Sequence, residues 1–84
     1  YWALQDGKNL IISGERDAKE IRKKITGAII QESILQIEYV SVAEAKTLVE
    51  ISGNISNNIL ISTAVFLGGT RLIDNFRYSI SSIK

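Results

Sequence analysis

Two apolar runs separated by a glycine pair constrain this chain more than any other feature: Ile59 to Leu67, then Gly68-Gly69, then Thr70 to about Tyr78. Strand-forming residues on both sides of a two-residue glycine linker read as a β-hairpin, because glycine tolerates the positive φ that tight hairpin turns demand. The first run is nearly continuous in its hydrophobicity, so it is expected to be central, covered on both sides or flanked by both neighbours. The second run differs. It sets Arg71, Asp74 and Asn75 between apolar residues.

Upstream, Leu35 to Val42 alternates Leu35, Ile37 and Tyr39 against Gln36 and Glu38, the period of a strand with one buried face. Ala18, Ile21, Ile25, Ala28 and Ile29 recur at three- and four-residue steps, which predicts an amphipathic helix from Ala18 to about Glu32. A first helix is expected from Tyr1 to about Ser13, with Trp2, Leu4, Leu10 and Ile11 as its apolar side, although Gly7 in its interior costs about 1 kcal/mol of helix preference. Gly14 suits the left-handed residue that closes a helix. Asp17, with Glu20 three positions on, fits a capping box opening the next. Ala43 to Leu48 is expected to be a short helix or turn, Gly53-Asn54 and Asn57-Asn58 mark a turn-prone connection, and the tail Ile80 to Lys84 is expected to fray. Together these elements predict an α+β domain: a small three-stranded, mainly antiparallel sheet packed against two or more helices. The hairpin fixes one antiparallel pair. The place of the first strand stays open.

Composition narrows the chemistry sharply. With no histidine and no cysteine among 84 residues, a Cys/His zinc site, a thiolate nucleophile and a Ser-His-Asp relay are all excluded. The nine carboxylates are scattered and form no calcium-binding ladder, so a metal site built by these residues alone is not expected. Ten basic against nine acidic residues leave a net charge of +1, too little for a long-range field toward nucleic acid or anionic lipid. Lys19, Arg22, Lys23 and Lys24 form a local basic cluster, but no aromatic residues are interleaved for base stacking, and the cluster reads as a solvated helix face. No apolar run approaches the roughly 20 residues that cross a bilayer.

Three segments carry a family likeness in a fixed order. They are Ser13-Gly14-Glu15-Arg16-Asp17, then Glu38-Tyr39-Val40-Ser41-Val42 leading to Lys46-Thr47-Leu48, then Gly68-Gly69-Thr70-Arg71-Leu72-Ile73-Asp74-Asn75. In this wording the chain resembles the C-terminal part of the pantothenate synthetase (pantoate-beta-alanine ligase) family. The last segment is the specific one. The chain departs from the family after the middle segment, with Glu44-Ala45 where an acidic residue and a proline usually stand.

The resemblance implies an ATP-dependent ligase that activates pantoate as an acyl-adenylate and joins it to beta-alanine, releasing AMP and pyrophosphate. The family does this with a nucleotide-binding domain bearing His-x-Gly-His and Ser-Ser-Arg-Asn signatures, and neither occurs in these 84 residues. The expectation is therefore a single C-terminal lid domain, 1–84, separated from that catalytic domain and inactive by itself. The parent is expected to be cytoplasmic and homodimeric, to use ATP with Mg2+, and to hold pantoate and beta-alanine mainly on the missing domain, which is this chain's own partner. No catalytic, cofactor or metal residue is assigned here. Arg71, Asp74, Asn75 and Trp2 are the candidates for interdomain contact, against a purely structural reading in which they satisfy groups of their own domain. Without the resemblance, the alternatives are a stand-alone α+β module that binds a protein or small effector, and an RNA-binding domain using Lys19 to Lys24.

Overall fold

The computed structural model describes residues 2–56 and 58–79, and for Trp2 the backbone only. The expectations placed on Tyr1, Asn57, the Trp2 side chain and the tail 80–84 lie outside the described residues. Helices α1 (Trp2–Ile12) and α2 (Ala18–Ile30) precede strands β1 (Leu35–Glu44), β2 (Ile59–Leu67) and β3 (Thr70–Tyr78). The sheet order is β1-β2-β3, and both pairs are antiparallel. The open question of the first strand is thereby answered: it flanks β2 on the side away from the hairpin. The α+β class holds.

Both helices cover one face of the sheet. The stripe Ile21, Ile25 and Ile29 of α2 and Ile11 of α1 close over Val42, Ile59, Ile61 and Val65, all of them fully buried. Each such side chain contributes roughly 1.5–3 kcal/mol by leaving water, which is how two short helices hold a three-stranded sheet. Thr63, on the same buried face of β2, is the exception in kind: its Oγ1 has no hydrogen-bond partner among the described residues. The turn at Gly68-Gly69 has φ +61 at Gly68 only, the sign pattern of a type II′ hairpin turn.

Strand β1 does not alternate as simply as its sequence. Ile37 lies opposite Val65 and Tyr39 opposite Ala64, so Glu38 is an extra residue and the register shifts there. A bulge of this kind moves every following side chain to the other face. Tyr39, expected inward with Leu35 and Ile37, therefore points to the open face, and Val40 and Val42 take the inward places.

The joint between the helices is built almost as its residues foretell. Gly14, at φ +116, ends α1 while the Glu15 N–H donates to Leu10 O at 3.1 Å. Asp17 caps α2 by accepting from the Lys19 N–H at 3.0 Å. The second carboxylate is Glu15, not the Glu20 of the expected capping box. It accepts from the N–H groups of Arg16 and Asp17 at 3.1 and 3.0 Å, so the amide that Glu20 needs is already bound. The Arg16 guanidinium donates to Ile11 O at 2.8 Å, filling a helix-end carbonyl.

After β1 the chain turns without the short helix that Ala43 to Leu48 left open as one alternative. Strand β1 runs on to Glu44, two residues past its expected end, because Glu50 and Ile51 return along its edge: Ala43 bridges Glu50, and the Ile51 N–H donates to Val42 O at 2.9 Å. The connection is then tied to the helix joint by Ile55 N–H to Arg16 O (2.7 Å) and Ala18 N–H to Gly53 O (2.9 Å). No helix among the described residues is long and apolar enough to cross a membrane.

Candidate interdomain surface

Alternation along β3 divides the sequence-predicted residues between the two faces of the sheet. Arg71 stands opposite Phe66 and Asn75 opposite Ser62, on the open face, whereas Asp74 stands opposite Thr63 on the helix-covered face. Arg71 and Asp74 therefore do not meet. Arg71 instead reaches over the central strand to Glu38, the bulged residue of β1, with Nε 2.6 Å from Oε1 and Nη2 3.3 Å from Oε2. That two-pronged hydrogen bond and the charge behind it raise the Arg71 guanidinium above its ordinary value. The pair is exposed to solvent and screened by it, so its contribution to folding is small.

Asp74 accepts from the Asn75 N–H at 2.9 Å, and with Asn75 and Phe76 it lines a hollow of about 140 Å3 against Leu4, Gln5 and Lys8 of α1. The first turns of α1 thus lie beside the middle of β3.

The open face runs in rows set by the register. Tyr39, Ala64 and Ile73 form an apolar row, Ser41, Ser62 and Asn75 a polar one, and Gln36, Phe66 and Arg71 a third nearer the hairpin turn. Ile73 is 55% exposed and Tyr39 37%, while Ala64 between them is covered.

Two acidic residues that the sequence does not single out hold much of the polar structure. Glu38 is one. The other is Glu50, which accepts from Arg22 Nε at 2.7 Å, Ser41 Oγ at 2.6 Å and the Val42 N–H at 2.9 Å. Partial burial pushes the Glu50 carboxyl up, but the hydrogen bonds from Ser41, Val42 and Arg22 outweigh it and leave the group below its usual range. Arg22 also donates to Ile51 O. This corrects the reading of Lys19, Arg22, Lys23 and Lys24 as one solvated face: Arg22 is a half-buried tie between α2 and the β1 edge, and Lys19, Lys23 and Lys24 remain exposed. No signal in one sequence pairs residues 28 apart. Only the fold brings them together.

No group of three or more carboxylates converges among the described residues in a way that could hold a metal ion. A surface groove of about 490 Å3 runs between the helices, lined by the acidic Asp6, Glu15 and Glu20 and the basic Lys23 and Lys24, so its charges nearly cancel and leave one negative charge in excess.

Comparison with known proteins agrees with the three sequence segments. The family model for pantoate-beta-alanine ligase matches residues 1–77. A pantothenate synthetase of Clostridium botulinum (strain Langeland) is 36% identical over 78 residues, 93% of this chain and 27% of that protein. Those of Herpetosiphon aurantiacus and Carboxydothermus hydrogenoformans are 37% and 38% identical over 75 and 76 residues, covering 89% and 90% of this chain and 27% and 26% of theirs. The chain thus spans about a quarter of the length of the curated relatives it matches. It belongs to the pantoate-beta-alanine ligase family, whose C-terminal domain it matches.

Proposed function

We propose that this chain is the lid of a pantothenate synthetase: a domain that shuts the cleft in which pantoate is activated by ATP and then joined to beta-alanine. An acyl-adenylate open to bulk water is hydrolysed before its amine arrives, so such an enzyme gains from a cover that excludes solvent. The observation that carries this reading is the family match over residues 1–77 of a chain that has no histidine. Membership supplies the pathway. Without histidine or cysteine these 84 residues lack the commonest acid–base and thiolate groups, and the contribution proposed for them is shape and exclusion of solvent.

In this reading the substrates and the Mg2+ that accompanies ATP are held by the rest of the parent polypeptide, a cytoplasmic homodimer. No carboxylate set of this chain's described residues is arranged to hold the ion. The chain alone makes no pantothenate. Arg71, Asn75 and Asp74 act at or near the contact between the two domains.

Removing this domain from the parent tests the role. A lid that protects the adenylate leaves a truncated enzyme that still turns over ATP in the presence of pantoate while pantothenate formation falls, so AMP and pantothenate cease to appear in equal amounts. A truncated enzyme that keeps the two products equal has no need of a cover, and the proposal fails. Within the intact parent, Arg71→Ala is expected to lower turnover more than melting temperature; unchanged kinetics with a collapsed melting temperature assigns Arg71 to folding alone.

A further inference from the structure

Resting on the lid reading, we propose that the open face of the sheet, centred on Tyr39, Ala64, Phe66 and Ile73, is the surface this domain lays against the rest of its own polypeptide. The helix layer covers the other face completely enough to bury Ile59, Ile61, Thr63 and Val65. An antiparallel sheet with one solvated face ordinarily alternates apolar inside with polar outside. Strand β2 does not. Its outward positions are Leu60, Ser62, Ala64 and Phe66, three of the four apolar, and the strands beside it add Tyr39 and Ile73.

The bulge at Glu38 sharpens the point, because it turns a tyrosine onto this face that unbroken alternation would have put inside. The same bulge places Glu38 where Arg71 can reach it, so the charges bordering the apolar row are already paired within the domain. An apolar centre with a polar rim is the usual make-up of a protein interface, and the Arg71–Glu38 pair brings no unpaired charge to its hairpin end, while Arg77, opposite Leu60, stands at the other end of the face.

The occupant follows from where the rest of the polypeptide stands. The relatives extend well beyond the aligned part, which is 27% of the Clostridium botulinum protein. The first turns of α1 lie against Asp74, Asn75 and Phe76, so polypeptide ahead of α1 joins at the β3 side of the sheet. The opposite edge, at β1, is occupied by Glu50 and Ile51. A preceding domain therefore stands at the β3 side with the β1 edge turned away, and the uncovered apolar surface next to it is the open face of the sheet.

Cysteine labelling of the parent enzyme decides the matter, since this segment contributes no cysteine of its own. Ile73→Cys and Ile30→Cys are made singly in a parent otherwise free of reactive cysteine, and the reaction of each with a maleimide is followed by mass spectrometry with ATP and pantoate present. Within the domain the two positions are similarly exposed, Ile73 at 55% and Ile30 on the helix side at 65%. Docking through the open face slows Ile73→Cys by about tenfold relative to Ile30→Cys once each is scaled to its denatured rate, as expected for a surface covered most of the time. Equal scaled rates, or slower labelling of Ile30→Cys, overturn the assignment. Protection of Ile73→Cys that disappears on dilution makes a second copy the occupant and also overturns it. Pantothenate synthesis by the same samples keeps the two questions apart: an active parent with equal labelling refutes the face, while an inactive wild-type parent refutes the reading beneath it.

Discussion

Gly7 and Ile25 meet where α1 crosses α2, so closely that a β-carbon built on Gly7 falls 2.6 Å from Ile25 Cδ1 and 2.7 Å from Cγ1. The glycine that weakens α1 by its helix preference is what lets the helices approach. Gly7→Ala gains about 1 kcal/mol of helix propensity and meets an overpacking cost of about 1–3 kcal/mol, because the fully buried Ile25 side chain must shift to admit the methyl group. A lower denaturation midpoint is the expected result. In an Ile25→Ala background the same change is expected to be neutral or stabilising, and a loss of equal size in both backgrounds refutes the contact.

Thr63 buries a hydroxyl that finds no partner among the described residues. Replacing it with valine keeps the shape and removes the group that must leave water. An unsatisfied buried hydroxyl costs roughly 1–3 kcal/mol, so Thr63→Val is expected to raise stability by about 1 kcal/mol in chemical denaturation. A clear loss means that the hydroxyl is bonded after all.

The helix joint separates two acidic residues that look equivalent in sequence. Asp17→Ala is expected to cost about 1 kcal/mol as the loss of an N-cap, and Glu15→Ala a comparable amount through the two amides it releases. Glu20→Ala removes neither contact, and its melting temperature should stay closest to that of the unaltered chain. A larger effect at Glu20 than at Glu15 restores the capping box.

Much of this architecture is legible in the residues themselves. The hairpin, the amphipathic α2 and the glycine closing α1 follow from local rules, since turn geometry, helical period and left-handed φ act within a few positions. What depends on distant partners is not legible. The bulge at Glu38 is silent in the pattern Leu35, Ile37, Tyr39, because an inserted residue shows only once the partner strand is known. Arg22 looks like its lysine neighbours until Glu50 is folded beside it. At the candidate surface, β3 announces Arg71, Asp74 and Asn75 as unusual, yet only the register puts Asp74 on the opposite face from the other two.

Glu50 links stability to pH in a stated direction. Its folded carboxyl lies below the ordinary 4.5, so the unfolded chain binds the proton first. The stabilisation is complete well above that value and is lost as pH falls through the lower folded one. Solvent screening of this half-exposed group keeps the effect to about 1 kcal/mol. Glu50→Gln is thus expected to unfold at lower denaturant than the unaltered chain at neutral pH, with the gap closing as the solution is acidified below 4.5. A gap that does not change with pH removes the carboxylate's charge from the account.

The most direct measurement is pantoate-dependent AMP release by these 84 residues alone, supplied with ATP, Mg2+ and beta-alanine. A cover without its catalytic partner is expected to release none above the rate without protein. AMP that appears only when pantoate is present would show that the chain activates the acid by itself, and the lid account would have to be abandoned.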